Sequence, residues 1–256
     1  MKHRISFVWI VALAALLLPR PAFAAFHLME IEQVIGGVNG DTTAQAVQIR
    51  FRAAGQNIVA PNARLVVRDG AGLNPVTLVA FTLPNPTNNA ACARILSTTA
   101  AFNSKTTPTA IPDYTMAAIP ASYLPAGSLT FEAVGTSAVL WRVSWGSYPA
   151  LQQTVDLTND GDGTTAPAFA GPLPSAGPQS LRFTPACGTI SSNTAAQYAL
   201  SAGQAVFSNN NVTPTAFTVN APLIPVPALP GASALLLPAV LGFAVLGFAI
   251  LRRRNA

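Results

Sequence analysis

The chain has 256 residues, 50% of them apolar, with only 9% charged side chains and a formal net charge of +5. Lys2, Arg4, Arg20 and Arg252 to Arg254 place much of the positive charge at the two ends. Between them Arg50, Arg52, Arg64, Arg68, Arg94, Lys105, Arg142 and Arg182 face all 9 acids, so the body is close to neutral at about −1 and carries no basic tract. A nucleic-acid partner is therefore not expected.

Residues 1–24 read as a signal peptide. Lys2, His3 and Arg4 make a basic start, and Ile5 to Leu18 is an apolar stretch of signal-peptide length. Ala22-Phe23-Ala24 then offers small residues at the positions a signal peptidase reads, with the cut between Ala24 and Ala25. The alternative is an uncleaved membrane helix, for which the apolar run is short.

Residues 25–208 read as one all-β domain. Val47, Ile49 and Phe51 alternate with Gln48, Arg50 and Arg52. Val139, Trp141, Val143 and Trp145 alternate with Leu140, Arg142 and Ser144. A period of two is the mark of half-buried strands. Further strands are expected over Phe26–Ile35, Ala63–Arg68, Val76–Leu83, Ala93–Ser97, Ser128–Val134 and Ser180–Thr184. Asn39-Gly40 and Asp69-Gly70 are turn signals between such runs. No segment of the body keeps a helical period, so the pattern predicts an antiparallel sandwich. Pro84–Ala91, Phe102–Gly127 and Asp156–Gln179 read as loops, the last two long enough to carry function.

Several of these segments resemble bacterial lamin-tail-like domains. They are the start Ala25-Phe26-His27-Leu28, the strand Ala46-Val47-Gln48-Ile49-Arg50-Phe51, the run Ser180-Leu181-Arg182-Phe183, and Asn193-Thr194-Ala195-Ala196-Gln197-Tyr198-Ala199-Leu200. Gln48 and Arg50 flank Ile49 where the family commonly has an acid, and Gln197-Tyr198 replaces an acid–aromatic pair. The resemblance covers about residues 26 to 212. It implies an immunoglobulin-like β-sandwich and no shared enzymatic activity.

The residues permit little catalytic chemistry. With His3 in the signal peptide, His27 is the one histidine left, and no nucleophile motif accompanies it. The reading is therefore non-enzymatic, without a cofactor. Cys92 and Cys187 are the 2 cysteines, and in an exported chain they most simply pair. Such a bond closes a loop of about 100 residues, for which the chain-entropy model gives about 4.7 kcal/mol. Two separate buried thiols are the alternative. The one chemical hint is Asp156, Thr158, Asp160 and Asp162 in a Gly-containing loop, oxygen donors at alternate positions as a Ca²⁺ ion would take them. The position of the closing glutamate of an EF-type loop is held by Pro167, and a solvated acidic turn explains the same residues. Trp141, Trp145 and Tyr148 fit a sandwich core better than a sugar platform.

Residues 209–231 read as a Pro- and Asn-rich linker. Ala232 to Leu251 is an apolar run that no charge interrupts, with Pro238 tolerated as a kink; twenty helical residues at about 1.5 Å each span about 30 Å, the hydrocarbon thickness of a bilayer. Arg252, Arg253 and Arg254 stop it, and residues 252–256 are expected to stay cytoplasmic with the body outside. Val226-Pro227-Ala228-Leu229-Pro230, the apolar helix and the terminal arginines together resemble the PEP-CTERM group of bacterial sorting signals. The stretch is nearer the Val-Pro-Leu-Pro-Ala variants than the Pro-Glu-Pro form. The resemblance implies recognition by an exosortase-type membrane protease and delivery to the cell surface or extracellular matrix.

The function expected from these readings is a secreted, non-catalytic binding or structural module whose loops meet polysaccharide or other surface proteins. Two alternatives stand beside it. One is a surface hydrolase using the carboxylates of Asp156–Asp162, and the other is a structural protein permanently held in the membrane by its tail.

Overall fold

The computed structural model describes residues 26–148, 168–189 and 194–223. The signal peptide with Ala24 and Ala25, the Asp156–Asp162 loop, and the tail with its Val226–Pro230 motif, apolar run and Arg252–Arg254 lie outside the described residues. Among the described residues no helix is long and apolar enough to cross a membrane.

All eight strand segments expected from the sequence are present. They are β1 (Met29–Ile35), β2 (Ala46–Phe51), β3 (Ala63–Asp69), β4 (Val76–Ala80), β5 (Arg94–Thr98), β8 (Gly127–Ala133), β9 (Val139–Trp145) and β10 (Leu181–Phe183). Short elements complete the described residues: α1 (Ala100–Asn103), β6 (Thr106–Thr107), β7 (Tyr114–Thr115), α2 (Thr194–Gln197), β11 (Tyr198–Leu200), β12 (Val206–Ser208) and β13 (Ala216–Val219). The pairing is antiparallel throughout except for β5 with β7.

The strands form three sheets: β11-β10-β1-β2-β5-β7, β4-β3-β8-β9 and β12-β13-β6. The first two share a core. Met29, Ile31, Ile49 and Phe51 from the six-stranded sheet meet Leu65, Phe131, Trp141 and Val143 from the four-stranded sheet. Trp141 and Trp145 are both fully buried, which fits the core reading of that strand. The Trp141 indole N–H donates to the Tyr198 hydroxyl at 2.9 Å, and that hydroxyl donates to the Ile31 carbonyl. This chain of donors answers the polar tips of two large buried side chains.

A second core lies on the other face of the six-stranded sheet. Ile35, Ala46 and Leu96 of that sheet pack with Phe102, Phe207, Phe217 and Val219. The sequence pattern had predicted half-buried strands, yet β1, β2 and β8 are buried on both faces. For β1 and β2 the reason is the second core together with a ladder of paired charges beside it.

The first residues of the expected 209–231 linker are packed into the fold. Asn209 and Asn210 are buried, and Phe217 and Val219 of β13 are at 0% exposure. The asparagines work as backbone clamps. Asn210 donates its side-chain amide to the carbonyls of Asn88 and Arg94, and Asn209 donates to Ile111. A composition typical of loops is here tying loops down, because an amide side chain satisfies peptide groups that no strand reaches.

The expected loop Phe102–Gly127 is likewise partly packed. Ala110, Met116, Ile119 and Leu124 are buried, and the Gln45 side chain bonds both the N–H and the C=O of Ile119. Asn39-Gly40 makes the predicted tight turn. Both residues have positive φ, and Val38 and Asp41 exchange backbone hydrogen bonds across it.

Candidate polar cleft on the six-stranded sheet

The site begins with a register shift. Ile31 pairs with Ile49, but Gln33 pairs with Gln48, so Glu32 is the extra residue of a β-bulge. Glu30 stands opposite Arg50, and Arg50 opposite Arg94 on the next strand. On the other side Gln33 pairs with Arg182 of β10. Four strands thus bring two glutamates, two glutamines and three arginines to one face.

Glu32 is the hub. One carboxylate oxygen accepts from Arg50 Nη1 at 3.2 Å and Arg94 Nη2 at 3.0 Å; the other accepts from Arg94 Nε and Gln48 Nε2, both at 2.6 Å. Those four bonds fill the acceptor capacity of a carboxylate. Burial opposes its charge, but the hydrogen bonds and positive charge of Arg94, with Arg50 and Gln48, outweigh it and hold the group below the ordinary glutamate range.

Glu30 is placed differently. It is fully buried and pairs with Arg50 through one oxygen, while Oε2 has no hydrogen-bond partner among the described residues. Burial pushes its pKa up to about 7, with Arg50 only partly offsetting this and the neighbouring Glu32 adding to it. Two carboxylates on one strand are driven in opposite directions by the number of donors each receives.

The remaining polar groups of this face are also engaged. Gln33 donates to the Val206 carbonyl at 2.7 Å and accepts from Ser180; Gln48 accepts from the Ser208 backbone N–H at 2.6 Å. Beside them opens a cleft of about 320 Å³. Its floor includes Glu32, Arg94 and Arg182, and its rim is Val206, Ser208, Pro214 and Ala216 from the segment around β12 and β13. Arg182 differs from its neighbours. Its side chain is 52% exposed, its nearest carboxylate oxygen is 4.0 Å away on Glu32, and no hydrogen bond engages it among the described residues.

The four-stranded sheet repeats the device. Glu132 accepts from Arg64 at 3.1 and 2.9 Å, from Thr130 at 2.7 Å and pairs with Arg68 at 2.7 Å. Glu30, Glu32 and Glu132 are all the glutamates in the chain, and all three are buried. A smaller hollow of about 190 Å³ lies between Pro84–Thr87 and Asp113, Tyr114 and Asn210. There Asp113 already accepts from the backbone of Leu96 and Asn210, and burial raises its pKa.

Of the residues singled out by sequence, Cys92 and Cys187 are brought together as a disulfide with Cα atoms 5.7 Å apart. His27 lies beside Phe26 with ring centres 4.5 Å apart and the planes tilted by 56°. The expected calcium ligands Asp156, Thr158, Asp160 and Asp162 fall outside the described residues. The cleft itself was not anticipated. Its sequence signal is the acidic Glu30-Ile31-Glu32 facing Gln48-Ile49-Arg50, which becomes readable once those two strands are taken as neighbours. No family model, no curated protein and no solved structure matches this chain.

Proposed function

We propose that this chain is an exported, non-catalytic binding module of the cell surface or extracellular matrix, delivered by its C-terminal sorting tail. The observation that carries the reading is the Cys92–Cys187 bond. Disulfides persist in oxidising compartments, and both cysteines of the chain are used in this one. The signal-peptide pattern of residues 1–24 and the resemblance of residues 226–254 to PEP-CTERM signals supply the two addresses. The resemblance to lamin-tail-like domains supports an immunoglobulin-like reading of the antiparallel sheets. The non-catalytic reading is supported by the saturation of Glu32 and Glu132 with arginine and other donors, which leaves neither free as an acid or base. Because much of Phe102–Gly127 is packed, the polar cleft is the preferred recognition surface.

The test is intact-mass analysis of the protein recovered from its producing cells. The proposal expects a chain beginning at Ala25, lacking the apolar run 232–251, and two hydrogens lighter than the reduced form. Retention of the run would replace sorting by permanent anchoring. Free thiols on a chain that keeps residues 1–24 would overturn export. Turnover of a polysaccharide, abolished by Asp160→Ala or Asp162→Ala, would replace the module by a hydrolase.

A further inference from the structure

The structure assigns to the cleft beside Arg182 a small organic monocarboxylate, of the size and polarity of one sugar acid. The assignment specifies the ligand class of the binding-module reading and rests on it. Four observations lead there.

The first is the available cation. Arg182 follows the buried Leu181 and precedes the buried Phe183 on β10, with its side chain half exposed. Arg50 and Arg94 are committed to Glu30 and Glu32. Arg182, held 4.0 Å from its nearest carboxylate oxygen, retains its donors. A guanidinium offers paired N–H groups in a plane, which matches a carboxylate better than any other common anion of single charge.

The second is charge balance. Arg50, Arg94 and Arg182 stand against Glu30 and Glu32, leaving one positive charge when both acids are ionised. One negative charge completes that set. A phosphate, which carries nearly two, would bring the second against the buried Glu32, whose carboxylate is held ionised beneath the cleft.

The third is size. The cleft measures about 320 Å³. Pockets for small ligands begin near about 300 Å³. One ring-sized molecule fits and a folded partner does not.

The fourth is polarity. Five of the polar side chains around the cleft, Glu32, Gln33, Gln48, Arg94 and Arg182, come from the sheet, and Ser208 adds a hydroxyl at the rim. A wall of this kind suits a hydroxylated acid more than the apolar end of a peptide. The ligand's carboxylate would sit on Arg182, its ring against Pro214 and Ala216, and its hydroxyls toward Ser208.

The experiment titrates the purified full chain with glucuronate, glucose, inorganic phosphate and acetyl-dialanine, by calorimetry at low salt and about pH 8, where Glu30 and phosphate are largely ionised. Saturable glucuronate binding in the millimolar range is expected, at least tenfold tighter than each of the other three. Arg182→Gln should weaken it at least tenfold, and Arg182→Lys, which keeps the charge and loses the fork, by several-fold. Arg182 is half exposed, so both variants should fold, as unchanged thermal unfolding will show. The wild-type comparison decides the question even without them. No saturable glucuronate binding at 20-fold above about 1 mM, equal binding of glucose, tighter binding of phosphate or acetyl-dialanine, or full affinity in a folded Arg182→Gln protein would each overturn the assignment. A negative result would leave the intact-mass outcome untouched, so failure of the ligand class and failure of the export reading are told apart.

Discussion

Arg94 grips Glu32 with two donors of its guanidinium, Nε at 2.6 Å and Nη2 at 3.0 Å, so a side chain on β5 secures the bulge of β1 across the intervening strand. Removing one member of a buried ion pair leaves its partners uncompensated, at a cost of about 3–5 kcal/mol. Glu32→Ala should therefore destabilise the domain by about that amount in urea unfolding. Arg182→Gln, at the rim of the same network, should change stability by less than about 0.5 kcal/mol. Equal effects would show that the network has no hub.

Glu30 gives the domain a pH dependence opposite in sign to that of an acid whose pKa is lowered on folding, because burial outweighs its pairing with Arg50. Its pKa rises from 4.5 to about 7 on folding, so between those values the native state binds more protons than the unfolded chain. Stability from this group is full below pH 4.5 and declines as pH rises toward 7, by an order of about 3 kcal/mol. Glu30→Gln should flatten that decline, whatever its effect on absolute stability through the lost pair with Arg50. Denaturant midpoints at pH 5 and pH 8 measure both slopes; a wild type that gains stability between them would contradict the assignment.

The disulfide should carry a large share of the stability. Cys92 and Cys187 are separated by 95 residues, and loss of a native disulfide costs about 2–5 kcal/mol. Cys92→Ser should lower the melting temperature, abolish the mobility difference between reduced and non-reduced gels, and leave one titratable thiol at Cys187.

Phe217 tests where the domain ends. It is fully buried in the second core, and truncating a buried phenylalanine costs about 3–5 kcal/mol. Phe217→Ala should show that loss in equilibrium unfolding. A change under about 0.5 kcal/mol would return residues 209–219 to the linker that their composition suggests.

Most strands of the first core were legible because they are long enough to show alternation by themselves, as the six residues of β2 and seven of β9 do; β10 has three residues, but Ser180 and Thr184 beside it extend the pattern. The third sheet was not, since β12 has three residues, β13 four and β6 two, below the length at which a period can be read. Asn209 and Asn210 misled for a related reason. Composition reports that a residue favours irregular backbone, and says nothing of the distant carbonyls its amide will find. The ladder from Glu30 to Arg94 needed neighbour relations and a bulge, and both depend on how the whole sheet assembles. Cys92 and Cys187 could be paired by counting, as two thiols allow one partner each.

The placement of β1 at the middle of its sheet, between β2 and β10, also sets an order of assembly. β2 follows β1 directly and β5 comes after two further strands, so the Glu30, Glu32, Arg50 and Arg94 cluster can gather before β8, β9 and β10 are in place. The other edge of β1 must wait for β10, which arrives only after the entire four-stranded sheet has been made. Until then a strand rich in apolar side chains offers open backbone donors and acceptors to any passing chain. Such long-range closure places folding among the slow, millisecond-to-second class. The early gathering of charge beside that edge then acts as a guard, because a stranger pairing there would have to bury unmatched carboxylates and guanidinium groups.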